Sequence, residues 1–149
     1  MTQQNISQSS KEHIGSYIIV INKESGNLLM GQRKNSYLSG YYGFPGGRIE
    51  RNESLINCAK RELFEETNLT ALKLECAGII REYQKTYNFI HFAVICRKYS
   101  GDVILKEPDY CEKWIWYSIN SLPTPILPGH KAGLRFISNT PQTNLIEIL

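Results

Sequence analysis

Three glutamates lie close together at the end of one short segment. Their carboxylates and their spacing suit a binding site for a divalent cation. Glu62, Glu65 and Glu66 follow Arg61 closely, and Glu53 lies further upstream. On a helix, positions three and four apart face each other, so Glu62 repels both Glu65 and Glu66. The three carboxylates also lie near the C-terminal end of the segment, where the helix dipole disfavours negative charge. A segment that breaks local rules in this way is a candidate functional site, and its simplest missing partner is a cation.

The apolar residues of the same segment predict the helix that carries these acids. Between Leu55 and Leu63 they fall within an arc of roughly a hundred degrees at helical spacing. On this projection Glu62 lies at the border of the arc and Glu66 lies inside it. An ordinary solvated helix surface would keep its acids away from the arc, whereas a buried carboxylate needs a cation or a hydrogen-bonded partner. We therefore expect Glu66 to point towards the body of the protein.

The residues that flank the segment predict where the helix begins and ends. Asn52 and Ser54 are both suited to an N-cap, and Asn68 can take the left-handed conformation that closes a helix. Before the helix, residues 43–47 read Gly-Phe-Pro-Gly-Gly and predict a tight loop. This loop brings bare backbone close to the carboxylates.

The stretch from Gly47 to Leu69 resembles the sequence box of the Nudix hydrolases. It contains a glycine, five residues, a glutamate, seven residues and then Arg-Glu-apolar-x-Glu-Glu-x-Asn-apolar, so every charged position of the box is present. Asn68 stands where the family has glycine, and it can meet the same backbone requirement. The resemblance implies the Nudix α/β/α sandwich, an α/β (α+β) fold with a mixed β-sheet flanked by helices. It also implies a hydrolase that splits a phosphoanhydride linking a nucleoside to another group.

The donor types favour a hard cation. Carboxylates with no His or Cys beside them suit Mg²⁺, with Mn²⁺ as a substitute, better than Zn²⁺. Glu62 and Glu66, one turn apart, are the first expected metal ligands and Glu65 is the next, while the carbonyl of Gly46 is implied by the family. Because Mg²⁺ shares its ligand shell with substrate phosphates, these residues predict a phosphate-rich partner, here a nucleotide.

The residue that takes a proton from the attacking water stays open at this point. A bound metal ion lowers the pKa of that water, and a carboxylate collects the proton. Glu53, Glu62 and an acid later in the chain are all candidates, and Arg61 is expected to position Glu53 or Glu65 through an ion pair. The candidate catalytic residues are therefore Glu53, Arg61, Glu62 and Glu65.

Candidate contacts to the substrate lie outside the helix. Arg33 leaves a strand in the manner of MutT-like members of the family, where an arginine faces phosphates, although a solvated strand end is an equal alternative. The stretch from residue 107 to residue 116 resembles the same members, and there Glu107 or Glu112 could approach the metal or the base. Tyr42 lies in the loop before the box, with Tyr37, and loops carry much of recognition. The predicted substrate-binding residues are Arg33, Tyr42, Gly47, Glu112 and Arg135, the last from a stretch that resembles the late helix of these members.

The box alone does not name the substrate. Residues 81–90 lack the proline that ADP-ribose hydrolases of this family carry shortly after the box, which favours a nucleoside triphosphate cleaved to monophosphate and pyrophosphate. An oxidised purine triphosphate is one specific case. The alternatives are a nucleotide-sugar hydrolase, acting on ADP-ribose or a GDP-sugar, and a non-catalytic nucleotide-binding regulatory module. A stable complex with nucleic acid is not expected, because no basic domain or stacking platform is visible.

Composition predicts one domain in a reducing compartment. At 149 residues and a net charge of +3 the chain fits a single core, with residues 1–13 as a flexible polar arm and residues 14–149 as the Nudix domain. The four cysteines have no paired spacing, which favours buried free thiols and a cytoplasmic location. No stretch is long and apolar enough to cross a membrane. The apolar end at residues 145–149 could pair with a second chain, as a homodimer, or pack back on its own domain.

The order of elements along the chain fits the same fold class. Apolar strands, one long helix, more strands and a late helix predict a layered domain that mixes helices and strands. The predicted strands cover residues 14–21, 28–30, 72–83, 88–97 and 114–117, and the predicted late helix covers residues 129–138.

Overall fold

The chain folds into two β-sheets and two α-helices over the residues that the structure describes. The structure is a computed structural model, and it describes residues 11–138 and 144–149. Among these residues no helix is long and apolar enough to cross a membrane. In chain order the elements are β1 (Lys11–Val20), β2 (Leu28–Arg33), β3 (Tyr42–Gly43), β4 (Gly46–Arg48), α1 (Leu55–Thr67), β5 (Thr70–Tyr83), β6 (Tyr87–Ser100), β7 (Cys111–Tyr117), α2 (Pro128–Gly133) and β8 (Leu145–Ile148), with 3₁₀ turns at Ile119–Ser121 and Leu134–Ile137.

The larger sheet is mixed, as the sequence predicts. Its strand order is β4-β1-β6-β5-β8, with β1 parallel to β6 and β5 parallel to β8. The pairs β1–β4 and β5–β6 are antiparallel. Strands β2, β3 and β7 form a second, antiparallel sheet, which the sequence did not distinguish from the first. Because β8 pairs with β5, the apolar C-terminal segment packs back on its own domain.

Helices cover both faces of the larger sheet. Ile18 of β1 lies in one core cluster with Ala59 and Leu63 of α1. The neighbouring residue Tyr17 belongs to a second core cluster, against which Ala132 of α2 packs. Successive strand residues point to opposite faces, so α1 and α2 lie on opposite sides of the sheet. The predicted α/β/α arrangement is confirmed.

The ends of α1 follow from its caps. The Oγ of Ser54 accepts a hydrogen bond from the backbone N–H of Asn57 at 3.1 Å, which makes Ser54 rather than Asn52 the N-cap. Asn68 has a φ of 67°, and its backbone N–H donates to the carbonyl of Phe64 at 2.9 Å. Asparagine therefore meets the left-handed requirement that glycine usually meets.

Two boundaries differ from the sequence prediction. β1 begins at Lys11, so residues 11–13 belong to the strand, and the rest of the predicted arm lies outside the described residues. The predicted helix over residues 129–138 is instead the short α2 followed by the 3₁₀ turn at Leu134–Ile137. Gly129 and Gly133 lower the helix propensity of this stretch, which shortens the helix.

Candidate active site

One cavity of about 590 Å³ brings together the acidic end of α1 and a group of aromatic rings. We call one section of its lining the acidic part, which contains Gly46, Gly47, Glu66 and Glu107. The other section, the aromatic part, contains His13, Tyr37, Tyr87, Phe89 and His91.

Glu66 points from α1 into this cavity. Its Oε2 accepts a hydrogen bond from the backbone N–H of Gly46 at 3.0 Å, and its carbonyl accepts one from Nε1 of Trp114 at 3.1 Å. Burial raises the pKa of Glu66 well above its usual range, against the opposing hydrogen bond from Gly46, and the charges of Glu62 and Glu107 raise it further. A carboxylate in these surroundings gains stability from a nearby cation.

Arg61 holds the other acids of the box in place. Its Nε and Nη2 donate to the two carboxylate oxygens of Glu53 at 2.7 and 3.0 Å. Its Nη1 donates to Glu62 at 2.9 Å and to Glu65 at 3.2 Å, while Nη2 also donates to the carbonyl of Arg48 at 3.1 Å. Arg61 thus pairs with both Glu53 and Glu65, the two partners that the sequence suggested, and with Glu62 as well.

The surroundings of Glu53 and Glu62 shift the pKa values of these two candidate proton acceptors in opposite directions. Hydrogen bonds from Arg61 and from the backbone of Glu50 lower the pKa of Glu53 to about 2, which makes it a weak base. Burial raises the pKa of Glu62, and the hydrogen bond from Arg61 only partly opposes this effect. The Glu62 side chain is 14% exposed and lies directly behind Gly47, where any Cβ would overlap its carboxylate. Glu62 is therefore the better suited of the two to take a proton from water.

Of the two later acids that the sequence suggested, the structure brings Glu107 to the cavity. Glu107 lies between β6 and β7 and lines the acidic part, and its charge raises the pKa values of Glu62 and Glu66. Glu112 does not line the cavity; it lies at the surface, 3.8 Å from Nζ of Lys34. The predicted substrate contact of Glu112 therefore has no support in the geometry.

The acids present fit a hard cation by their chemistry. Within residues 11–138 and 144–149, no group of three His, Cys, Asp or Glu side chains is arranged so that it could hold a metal ion by itself. Glu62 and Glu66 already have partners, because Arg61 binds the first and the N–H of Gly46 binds the second. The charge of Glu107 repels those of Glu62 and Glu66, and a divalent cation would relieve this repulsion. All three carboxylates offer the oxygen donors that Mg²⁺ prefers. Glu65, 49% exposed and held by Arg61, lies outside the cavity lining.

Two arginines lie where they could contact phosphates. Arg33 and Arg48 both line the cavity. The Nε of Arg33 donates to the carbonyl of Tyr37 at 2.8 Å. Burial lowers the pKa of Arg33, and the negative charge of Glu66 opposes that shift. The guanidinium of Arg33 is therefore close enough to Glu66 for the two charges to interact. Arg33 therefore lies at the cavity, and its contact with substrate phosphates stays a prediction.

Two further predicted substrate contacts lie away from the cavity lining. Tyr42 packs edge-on against the ring of Tyr117, with centroids 6.1 Å apart. Its neighbour Gly43 faces the cavity instead, because successive strand residues alternate in direction. Arg135 is exposed on the 3₁₀ turn after α2 and does not line the cavity. Gly47, the fifth predicted contact, does line it.

Apart from Tyr37, the aromatic part of the cavity was missed by sequence reasoning. In the β1–β6 register His13 lies beside Phe89, and their rings stack at a centroid distance of 5.1 Å. Tyr87 and His91 stack on either side of Phe89, each at 5.6 Å. The period-two spacing of rings at residues 87, 89 and 91 is a signal that could have indicated one shared face. His91, which the sequence gave no role, belongs to this face.

A buried histidine links α2 to the loop before the box. The Nδ1 of His130 accepts a hydrogen bond from the backbone N–H of Phe44 at 2.9 Å, and its ring stacks on Tyr17 at 4.2 Å. Burial lowers the pKa of His130 well below its usual range, and the neighbouring charges of His91 and Arg33 lower it further. His130 is therefore a neutral acceptor that holds the entry to the box in place.

The fold and this site are typical of one protein family, and comparison with known proteins identifies the same family. The NUDIX domain family model matches residues 11–138, so the chain belongs to the Nudix family, as the box predicts. It is a hydrolase of phosphoric anhydride bonds, as the resemblance to the family implies.

Two named relatives and one solved structure are similar to this chain. The chain is 31% identical over 97 residues to "8-oxo-dGTP diphosphatase" of Buchnera aphidicola subsp. Schizaphis graminum, covering 65% of this chain and 72% of that protein. It is 26% identical to "NAD-capped RNA hydrolase NudC" of Pseudomonas syringae pv. tomato over 82% of this chain, but spans only 41% of that relative. The crystal structure of a MutT NUDIX hydrolase from Burkholderia pseudomallei has the same fold, with a TM-score of 0.81, 20% identity, and coverage of 86% of this chain and 99% of that one.

Proposed function

We propose that the protein hydrolyses a nucleoside triphosphate to a monophosphate and pyrophosphate with Mg²⁺, for which Mn²⁺ can substitute. The observation that carries this proposal is a single cavity lined both by Glu66 of the box, together with Glu107, and by a row of aromatic rings. Acids with a cation suit a triphosphate, and aromatic rings suit a stacked base. An oxidised purine triphosphate is the substrate we favour, in line with the name of the Buchnera relative.

The acidic part supplies the ligands for the cation in this proposal. Glu66 and Glu107 line the cavity, whereas Glu62 lies behind Gly47 and outside the lining, so we assign Glu62 to proton transfer rather than to the cation. The box also implies the carbonyl of Gly46 and the carboxylate of Glu65, of which Gly46 lines the cavity. When bound, Mg²⁺ neutralises charge that develops on the diphosphate and lowers the pKa of the attacking water.

The remaining residues of the box position the proton acceptor and the phosphates. Glu62, whose pKa burial raises, takes the proton from water in this proposal. Arg61 positions Glu62 and is itself fixed by its two-point contact with Glu53. Arg33 and Arg48 contact the phosphates, because they are cations on the wall of the same cavity.

One other substrate class stays in competition, and a non-catalytic function is disfavoured. The NudC relatives and the nucleotide-sugar branch of the family both suggest a dinucleotide-like substrate, with phosphates flanked by two groups. A non-catalytic nucleotide-binding module needs no proton acceptor, whereas this chain keeps Glu53, Arg61, Glu62 and Glu65 in one hydrogen-bonded group. That retention favours the enzyme.

We also propose a cytoplasmic location. All four cysteines are free; Cys58, Cys96 and Cys111 are buried, and Cys76 is exposed, against the expectation that the thiols are buried. An exposed free thiol is typical of a reducing compartment.

The test incubates the full chain with Mg²⁺ and a panel of dGTP, 8-oxo-dGTP, dATP, dCTP, dTTP, ADP-ribose, a GDP-sugar and NAD. Products are identified by chromatography, and ¹⁸O-water shows which phosphorus is attacked. We expect monophosphate and pyrophosphate from a triphosphate, a loss of about a hundredfold or more in Glu62→Gln, and no loss in Glu75→Gln, an exposed acid on β5. Cleavage of ADP-ribose, the GDP-sugar or NAD in preference to every triphosphate would overturn the proposal, and so would hydrolysis of nothing in the panel.

A further inference from the structure

Glu82 is a buried acid on the wall of the cavity that the proposed hydrolysis does not use. It lies on β5, is 5% exposed, and lines the cavity beside the aromatic part. Burial alone would raise the pKa of Glu82, but hydrogen bonds from His91 and Gln84 outweigh burial and lower it. An ionised carboxylate is therefore held at this wall, separate from the acids of the box.

The hydrogen bonds of Glu82 fix its carboxylate and still leave room for one more donor. The Nε2 of Gln84 donates to Oε1 at 3.0 Å, and the Nε2 of His91 lies 3.3 Å from Oε2. The backbone of Gly129 lies beside Oε2, because a Cβ on Gly129 would overlap this oxygen. A carboxylate has about four acceptor positions. These two hydrogen-bond partners, counted among the described residues, leave about two positions, which is enough for a donor from a ligand in the cavity.

The rings beside Glu82 form a stacking surface for a planar base. Phe89 lies directly opposite Glu82 in the β5–β6 register, and its ring is nearly parallel to that of His91, at an interplanar angle of 9°. The ring of Tyr37 stacks with Phe89 at 6.1 Å and 28°. Tyr37 is 49% exposed and belongs to the loop that follows β2. A base stacked on these rings presents its edge to the neighbouring carboxylate.

We propose that Glu82 accepts a hydrogen bond from the exocyclic amino group of a guanine-type base and thereby selects that base. The inference rests on the proposed function, and it adds the residue that reads the base and the kind of base it reads. Because Glu82 is only 5% exposed, an exocyclic amino group, which projects beyond the ring of the base, reaches it better than a ring N–H does.

Guanine fits this acceptor better than the other bases. On its Watson–Crick edge the N2 amino group stands beside a second donor, N1–H. The amino groups of adenine and cytosine instead stand beside a ring nitrogen whose lone pair repels a carboxylate, and thymine has no amino group. Oxidation at C8 leaves the guanine edge unchanged, so 8-oxoguanine presents the same donors to Glu82.

The test compares dGMP with dIMP, which differ only in the N2 amino group, in their binding to the full chain without metal. The same comparison is then made with dGTP and dITP as substrates in Mg²⁺. Hydrogen bonds to charged groups predict that the wild-type protein prefers the guanine compound by about tenfold or more. Glu82→Gln is expected to lower this ratio below about threefold, while the matched control Glu75→Gln, on the same strand but exposed, keeps it.

Equal binding of dGMP and dIMP by the wild-type protein overturns the proposal, as does a Glu82→Gln variant that keeps the preference. Should Glu82→Gln fail to fold, Glu82→Asp withdraws the charge by one methylene and is expected to lose the preference in the same way. The binding and hydrolysis experiments also distinguish the two proposals. Hydrolysis of triphosphates without a preference for guanine would contradict only the proposed role of Glu82. A preference for guanine in binding, without any hydrolysis, would contradict only the proposed reaction.

Discussion

Arg61 and Glu53, eight positions apart, form a two-point ion pair in which Nε and Nη2 lie 2.7 and 3.0 Å from the two carboxylate oxygens. Both side chains are mostly buried, with exposed fractions of 23% and 12%. A planar guanidinium can hold one carboxylate with two parallel bonds and still reach Glu62 and Glu65 with its remaining nitrogen. The pair thus ties the loop that precedes α1 to the face of the helix that carries the acids.

Arg61→Lys tests this relationship because lysine keeps the charge but has no planar fork. We expect kcat/KM to fall about a hundredfold, since Glu62 loses its position while the cavity keeps its lining. The matched control is Arg81→Lys, whose partner Glu147 lies on an exposed surface. Steady-state kinetics on the preferred triphosphate measures both variants. Unchanged kinetics in Arg61→Lys would show that the fork does not position Glu62.

Glu66→Gln removes a buried like charge while keeping an acceptor for the N–H of Gly46. Because burial and the charges of Glu62 and Glu107 oppose ionisation of Glu66, we expect the metal-free variant to melt at the parent temperature or slightly above it. Mg²⁺ should raise the melting temperature of the parent by ligand linkage and that of the variant much less. Thermal melts with and without Mg²⁺ give all four values. A metal-free variant that melts far below the parent means that Glu66 has a structural partner instead.

His130 predicts a pH dependence of stability. Its pKa lies well below the ordinary value of 6.5 in the folded chain, so below pH 6.5 the unfolded chain binds a proton that the folded chain rejects. The free energy of unfolding should therefore fall as the pH drops below 6.5, by up to about 1.4 kcal/mol per pH unit for this group. His130→Asn keeps an acceptor for Phe44 but does not titrate, and it should lose this dependence. Urea unfolding at pH 8 and pH 5.5 measures the difference; the same slope in parent and variant would assign it to other groups.

Asn68 tests the one departure from the sequence box. Its φ of 67° suits glycine and asparagine but strains alanine. Asn68→Gly should leave the activity unchanged and the free energy of unfolding close to that of the parent, whereas Asn68→Ala should lower it by about 1 kcal/mol. Chemical denaturation of the two variants makes the comparison. Equal stability of the Ala and Gly variants would mean that the left-handed cap is not required here.

The parts of the structure that local pattern determines could be predicted from the sequence. The apolar arc of α1, an N-cap at Asn52 or Ser54 and the closure at Asn68 depend on residues within a few positions. The helix lies where the pattern indicates, and Ser54 is the N-cap observed. The inward direction of Glu66 follows from the same arc. The order of elements predicts a layered domain of helices and strands, and the resemblance to the Nudix family implies the mixed sheet that is observed.

The parts that depend on distant pairing could not be predicted in the same way. Glu107 and Glu112 are equally acidic, and only the path of the chain into β7 decides which one faces the cavity. Tyr42 and Tyr37 belong to the same predicted loop, but the two-residue strand β3 turns Tyr42 away while Tyr37 stays at the cavity. Glu82 meets the aromatic part only because β5 pairs with β6 in one particular register.

The most direct test of the account is a titration of the full chain with Mn²⁺, followed by the electron paramagnetic resonance signal of the free ion. The acidic part should bind Mn²⁺ in the wild-type protein, and Glu66→Gln and Glu107→Gln should each weaken the affinity by about tenfold or more. Glu112→Gln, which changes an acid outside the cavity, should leave it unchanged. The same affinity in all four proteins would contradict the account, because the acids that line the cavity would then hold no cation.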